Sequence, residues 1–209
     1  MTRDEAVTAI KIQLGFRTNQ DANIVTCLQQ SQAKLEKMAT KPWFLLSEKA
    51  TVTLVVNEPR LAHPSDYLGE HEENGLTYLP ADDGDPVALR KDDLDVLKAY
   101  YKLQEGPPEC YAVDGNYFRL FPIPDDEYEV EMYYYQQDTV LSTNIENNWL
   151  KHFPFLLMGE AGTLIAGGLR DTAAMAIFNS WRKEGMIELF RENEARKHVN
   201  TSPQIGGAH

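Results

Sequence analysis

The sequence predicts an α+β protein: a helical bundle of N- and C-terminal helices, an antiparallel β-rich region inserted between them, and an extended C-terminal arm. Three observations predict it. Apolar residues recur at helical spacing at both ends of the chain, two-residue alternation broken by turn signals fills the middle, and the last stretch has no period. At 209 residues, 43% hydrophobic and 10% aromatic, the chain is long enough to bury a core and too apolar to stay disordered. The expected divisions are 1–46 for the N-terminal helices, 47–138 for the insertion with its acidic loops, 139–198 for the C-terminal helices and 199–209 for the arm.

Ala6, Val7, Ile10 and Leu14 have the spacing of a short amphipathic helix over residues 3–14, which Gly15 ends. Asn19 is an expected N-cap for a second helix to about residue 39, with Ile24, Leu28, Leu35 and Met38 on one stripe. Gln29, Gln30, Gln32, Lys34 and Lys37 fall largely on the other faces. Pro42-Trp43-Phe44 breaks the helical period, and residues 50–56 alternate as a strand.

From Asn57 to Asp95 there are eleven acids against three bases, with Pro and Gly scattered throughout. That punctuation predicts an irregular exposed region with short strands, for example at residues 76–79. A short helix is expected over 92–101, with Leu94, Leu97 and Tyr101 on one side. Cys110–Val113, the Asp114-Gly115 pair and Asn116–Phe121 form a hairpin signal, since Asp-Gly tolerates the positive φ of a tight turn. Glu127, Glu129 and Glu131 alternate with Tyr128, Val130 and Met132 as a half-buried strand.

Two helices are expected to close the chain. Asn147 or Asn148 caps the first, which carries Trp149, Leu150, Phe153, Leu156, Leu157, Leu164 and Ile165. Gly159, Ala161, Gly162, Ala166, Gly167 and Gly168 keep it narrow enough for another backbone to approach. Its stretch 153–169 is shorter than the roughly 20 residues a bilayer requires and holds Glu160, so a buried helix is expected rather than a membrane span. Asp171 caps the second helix, with Phe178, Trp181, Gly185 and Leu189 at helical spacing to about His198.

The charges, 20 Lys and Arg against 32 Asp and Glu, give a net −12, which disfavours binding a phosphate backbone. Solubility alone is the default reading of such a surface, and the sharper expectation is an acidic wall that lets DNA pass without sticking. Cys27 and Cys110 form no C-x-x-C, and the N-terminal residues Met1–Ala6 lack the apolar run of a secretion signal, so a reducing cytoplasm is the expected setting. His63, His71, His152, His198 and His209 fit no metal-ligand spacing, and Ala81–Asp85 lacks the register of a calcium loop. No nucleophile elbow, P-loop or dinucleotide fingerprint occurs, and acid pairs such as Glu72-Glu73 and Asp92-Asp93 are ordinary in so acidic a chain. No enzymatic activity, cofactor or metal is expected. Tyr133-Tyr134-Tyr135 lacks the neighbouring Lys and Arg of a base-stacking platform, so a core or a subunit interface is expected for it.

Certain residues carry a family likeness: Asn116-Tyr117-Phe118-Arg119-Leu120-Phe121-Pro122-Ile123-Pro124-Asp125, then Tyr128 to Tyr135, Leu141-Ser142, Asn148-Trp149-Leu150 and the small-residue helix Leu156 to Leu169. In order and character, Tyr111 to Arg170 resembles the head-tail adaptor (connector) proteins of tailed phages. The helix Asp21 to Met38 followed by Pro42-Trp43-Phe44-Leu45 is similar to them as well, so the likeness spans roughly half the chain. The resemblance implies a closed ring, usually twelvefold, at the head-tail junction of the virion, assembled in the host bacterial cytoplasm. It implies docking of a C-terminal arm, Val199, Asn200, Thr201, Ser202, Pro203, Gln204 and Ile205, on the portal protein. The opposite side receives a tail, tail-tube or nozzle protein, and genomic DNA passes through without sequence-specific binding; no membrane is involved.

Tyr133, Tyr134, Tyr135, Trp149, Gly159, Gly162 and Trp181 are the expected subunit-packing residues, because aromatics and narrow helices gain a use when identical neighbours surround an axis. A tail terminator or tail-tube-associated protein is the second reading. An acidic cytoplasmic hydrolase is the third.

Overall fold

A computed structural model describes residues 1–16, 19–71, 75–80, 84–143 and 145–199. The architecture is α+β, as predicted, and the chain forms two compact units. One, the helical unit, is Met1–Leu45 with the chain from Asp138 onward; the other, the sheet unit, is Leu46–Gln137.

In the helical unit α1 (Arg3–Gln13) opens on a capping box: Glu5 N–H donates to the Thr2 hydroxyl while Thr2 N–H donates to the Glu5 carboxylate at 2.8 Å. Ala6, Val7, Ile10 and Leu14 are all buried. Helix α2 (Asp21–Glu36) buries Ile24, Leu28 and Leu35. Asn19 does not cap it: Asn19 lies at φ +68° and Gln20 occupies the cap position without a side-chain bond to the helix backbone. The predicted helix from Asn147 to residue 169 is two helices, α4 (Asn148–His152) and α5 (Pro154–Gly168). Pro154 has no N–H to donate into the preceding turn and pushes Phe153 out of the helical region, to φ −131°, ψ 56°. Asp171 then caps α6 (Thr172–Val199), accepting from Ala174 N–H at 3.0 Å. Helix α5 packs against α1, α2, α4 and α6.

The sheet unit has three sheets. One is antiparallel in the order β1 (Ala50–Thr53), β9 (Glu129–Met132), β4 (Leu76–Leu79), β5 (Val87–Ala88). A second joins β10 (Tyr134–Gln136) to β3 (Tyr67–Glu70). The third runs β2 (Arg60–Ala62), β8 (Tyr117–Phe121), β7 (Cys110–Asp114), β6 (Arg90–Lys91), with β6 and β7 parallel. Residues 57–95 are therefore richer in strand than their Pro and Gly content predicts. Single apolar anchors, Leu61, Leu76 and Leu89, tie these short strands to a core that also holds Leu54, Phe118, Leu120, Val130 and Met132. Asp93 caps α3 (Leu94–Tyr101), and Leu97 and Tyr101 pack on Cys110, Ala112 and Phe121.

The predicted hairpin forms with its turn one residue later than expected. Asp114 pairs with Tyr117, so Gly115 and Asn116 make the turn, and only Gly115, at φ +64°, needs the left-handed region.

Candidate assembly surfaces

Among the described residues no group of three or more His, Cys, Asp or Glu side chains is placed to hold a metal ion. Cys27 and Cys110 are free, and burial pushes both thiols up, away from the reactive thiolate. A depression along α1 is lined by Asp4, Glu5, Thr8, Ala9 and Ile12, and its Glu5 is already engaged in the capping box. His63 packs on Tyr67 and Phe118, and His152 stacks on Phe44; burial lowers the pKa of both, so they serve as neutral packing groups near pH 7. Among the described residues no helix is long and apolar enough to cross a membrane.

The small residues of α5 are used within the chain. A Cβ added at Gly159 would lie 2.5 Å from the backbone nitrogen of Arg182, one at Gly162 would overlap the Phe178 ring, and one at Gly185 would lie 2.7 Å from the backbone nitrogen of Leu156. Helices α5 and α6 thus meet backbone to backbone. Between them Glu160, 4% exposed, pairs with Lys34 of α2 and with Arg182 of α6 at 3.7 Å, so one carboxylate links three helices.

A second polar cluster surrounds the two points where the chain leaves and re-enters the helical unit. Gln32 donates to the Glu36 carboxylate at 2.8 Å and to the carbonyls of Asp138 and Thr139 at 3.3 Å. Asp138 N–H donates to Glu36 at 3.2 Å, and the Asp138 carboxylate accepts from Trp149 N–H at 3.1 Å and Asn148 at 2.9 Å. Asn147 caps α4 through Leu150 N–H and also donates to the Thr139 carbonyl at 2.7 Å. Lys41 donates to the Glu36 carbonyl. Burial pushes the Glu36 carboxyl up.

Gln32, expected on an outer face, is buried here. Its signal was present: it follows Leu28 by four residues and precedes Leu35 by three, inside the apolar stripe.

The expected packing residues fall in different places. Trp149 has no exposed surface, and Gly159 and Gly162 face α6 of the same chain. Tyr134 is buried in the sheet unit, its hydroxyl donating to Asp66 at 3.1 Å. Tyr133 and Tyr135 are half-buried, with ring centroids 4.8 and 6.2 Å from that of His71. Trp181 is half-buried between Phe155 and Phe178, at centroid distances of 5.4 and 5.5 Å, and Phe155 and Ile177 beside it are exposed. That ledge is an outward-facing apolar surface of the helical unit. Val199 is the last residue of α6, and Asn200, Thr201, Ser202, Pro203, Gln204 and Ile205 lie outside the described residues.

Charge is divided between the units. The sheet unit carries 20 Asp and Glu against 7 Lys and Arg, leaving 12 acids and 13 bases for the rest of the chain. The excess negative charge therefore resides in the insertion, and the helical unit with its tail is close to neutral.

The helical unit thus bears an open apolar ledge, and the sheet-rich insertion carries the acidic excess. The chain belongs to the SU10 adaptor protein family, whose model matches residues 1–198. It is a phage adaptor, a structural component of the virion. No curated protein matches the chain.

Proposed function

We propose that the protein forms a ring that joins the portal to the tail and encloses the path of the DNA. The observation that carries this reading is the family match across residues 1–198. The division of charge supports it. A near-neutral helical unit is suited to protein partners, and an insertion of net −13 repels a phosphate backbone, so DNA moves past without being retained.

The Trp181 ledge meets neighbouring copies or portal, burying Phe155 and Ile177. The arm, Val199–Ile205, docks on the portal: ordering it costs entropy, which burial of Val199, Pro203 and Ile205 offsets. A tail, tail-tube or nozzle protein occupies the opposite side of the ring.

Deleting residues 199–209 tests the arm. The truncated protein should unfold at the same temperature as the full chain, because the deletion removes one helix-terminal residue and no described core residue. Its association with purified portal, followed by sedimentation and negative-stain imaging, should fall by about tenfold or more, the equivalent of about 1.4 kcal/mol. Undiminished portal binding by the truncated chain counts against the arm. Cross-linking to tail proteins but never to portal would favour a tail-terminator or tail-tube-associated role.

A further inference from the structure

The sheet β1–β9–β4–β5 ends in two open edges that match each other. Strands β1 and β5 are its outer members. Leu54 N–H donates to the Tyr128 carbonyl at 2.7 Å, and the register continues with Val52 opposite Val130 and Ala50 opposite Met132. The bonds of β1 to β9 therefore fall at residues 50, 52 and 54, and the N–H and C=O groups of Thr51 and Thr53 point away from the sheet. At the other edge Leu89 N–H donates to the Leu76 carbonyl at 2.9 Å, with Val87 opposite Tyr78, so the N–H and C=O of Ala88 point outward.

Natural sheet edges are commonly blunted by charge or proline. Ala50–Val56 contains neither, and Thr51, Thr53, Val55 and Val56 are exposed. On the core side an apolar row crosses the same sheet from edge to edge: Val52 opposite Val130, Val130 opposite Tyr78, and Tyr78 opposite Val87. The middle of the row is closed, with Val130 at 0% exposure. Its ends are open, since Val52 is half-buried and Val87 is 50% exposed.

We infer that β1 of one copy pairs with β5 of the next, so that this sheet continues from copy to copy. The inference rests on the ring reading above and names a contact within it. Strand direction argues for this partner. Three successive antiparallel pairings separate β1 from β5, which makes them antiparallel to each other, and copies placed head to tail continue the alternation without a fault. Two β1 edges facing each other would close a two-copy contact and leave both β5 edges open. Pairing β1 with β5 uses both edges of every copy, a heterologous contact of the kind that generates rings when the rotation closes. The rows fix the register. Thr51 opposite Ala88 exchanges the outward backbone bonds, which sets Val52 opposite Val87, and the open ends of the apolar row cover one another.

Cross-linking in assembled particles tests the pairing. A phage lacking its own adaptor is grown in cells supplying the wild-type chain, Val52→Cys, Val87→Cys, or both substitutions in one chain. Purified particles are oxidised and run on non-reducing gels. Directly opposed residues of this kind bring Cα atoms to about 4.5 Å, within reach of a disulfide. The double variant should give a ladder of covalent multimers, and each single variant should run as the wild-type chain does. A double variant that enters particles and forms no ladder overturns the contact and leaves the adaptor reading standing. A Val52→Cys chain that dimerises by itself overturns it too, since two β1 edges then face each other.

A second pair of variants reads the backbone. Thr51→Pro removes an N–H that β1 does not use within its own sheet, whereas Thr51→Val keeps it, so circular dichroism and thermal midpoints of the two should match. Adaptor copies per particle should fall by about tenfold for Thr51→Pro and stay at the wild-type level for Thr51→Val, because only the first blocks strand addition. Equal incorporation of the two overturns the contact. Absence of the wild-type chain from particles removes the adaptor reading, and this inference with it.

Discussion

Glu36 is 6% exposed and accepts from both Gln32 and Asp138 N–H, so it is needed as an acceptor and penalised as a charge. Its carboxyl is raised above the ordinary value of 4.5, chiefly by burial. A raised carboxyl favours the folded state below the unfolded value, and that contribution is lost as pH rises through the folded one. Two substitutions separate the roles. Glu36→Gln keeps the oxygen that both donors use and removes the charge, so at neutral pH it should equal or exceed wild type in stability. Its advantage should vanish on acidification below 4.5. Glu36→Ala removes the acceptor that Gln32 and Asp138 N–H share, leaves Asp138 N–H without its partner, and should cost about 1–3 kcal/mol. Urea midpoints across that range decide the matter: parallel pH profiles for wild type and Glu36→Gln would show that the buried charge carries no penalty. The polar partners were only partly legible in the sequence. The caps at Asn147 and Asp171 follow from local rules that a linear reading applies well. Gln32 and Asp138, 106 positions apart, are joined by tertiary proximity, which no periodicity encodes.

At the scale of elements, the narrow surface of α5 was legible and the helix that fills it was not. Gly159, Gly162 and Gly168 look alike in sequence, and the structure separates them. A methyl at Gly159 or Gly162 strikes α6 backbone or the Phe178 ring, whereas nothing lies within 4 Å at Gly168. Gly159→Ala and Gly162→Ala should each destabilise by about 1–3 kcal/mol through overpacking. Gly168→Ala, at the last turn of α5, should stabilise by about 0.5–1 kcal/mol because alanine loses less backbone entropy on folding. Denaturant midpoints at constant slope check all three, and equal effects at the three positions would refute the close packing of α5 on α6. The same scale explains where reading by pattern failed. Pro154 ends one helix and begins another without interrupting the apolar run, and strands of two to four residues lack the length that alternation needs.

At the scale of the whole molecule, the sheet unit is one continuous segment, Leu46–Gln137, with its own core of Leu54, Leu61, Leu76, Leu89, Phe118, Leu120, Val130 and Met132. Its ends lie side by side, since Leu46 forms a bridge with Tyr135, an arrangement typical of inserted domains. A contiguous chain with a closed core and neighbouring ends has what independent folding requires, so the excised segment should unfold cooperatively on heating and keep a near-ultraviolet dichroism signal from its packed tyrosines. Its net charge of −13 adds a second, quantitative expectation. Self-repulsion in a unit this acidic opposes compaction, and raising the salt from 0.01 M to 1 M shortens the screening length from about 30 Å to about 3 Å. The midpoint of the segment should therefore rise with sodium chloride. The near-neutral helical unit has no comparable excess of like charge to screen, so in the full chain any transition assigned to it should move less. A segment that binds hydrophobic dyes, lacks near-ultraviolet signal and melts without cooperativity would mean that the sheet unit depends on the helices for its fold. A salt-insensitive midpoint would mean that its carboxylates are spaced widely enough for their repulsion to cost nothing.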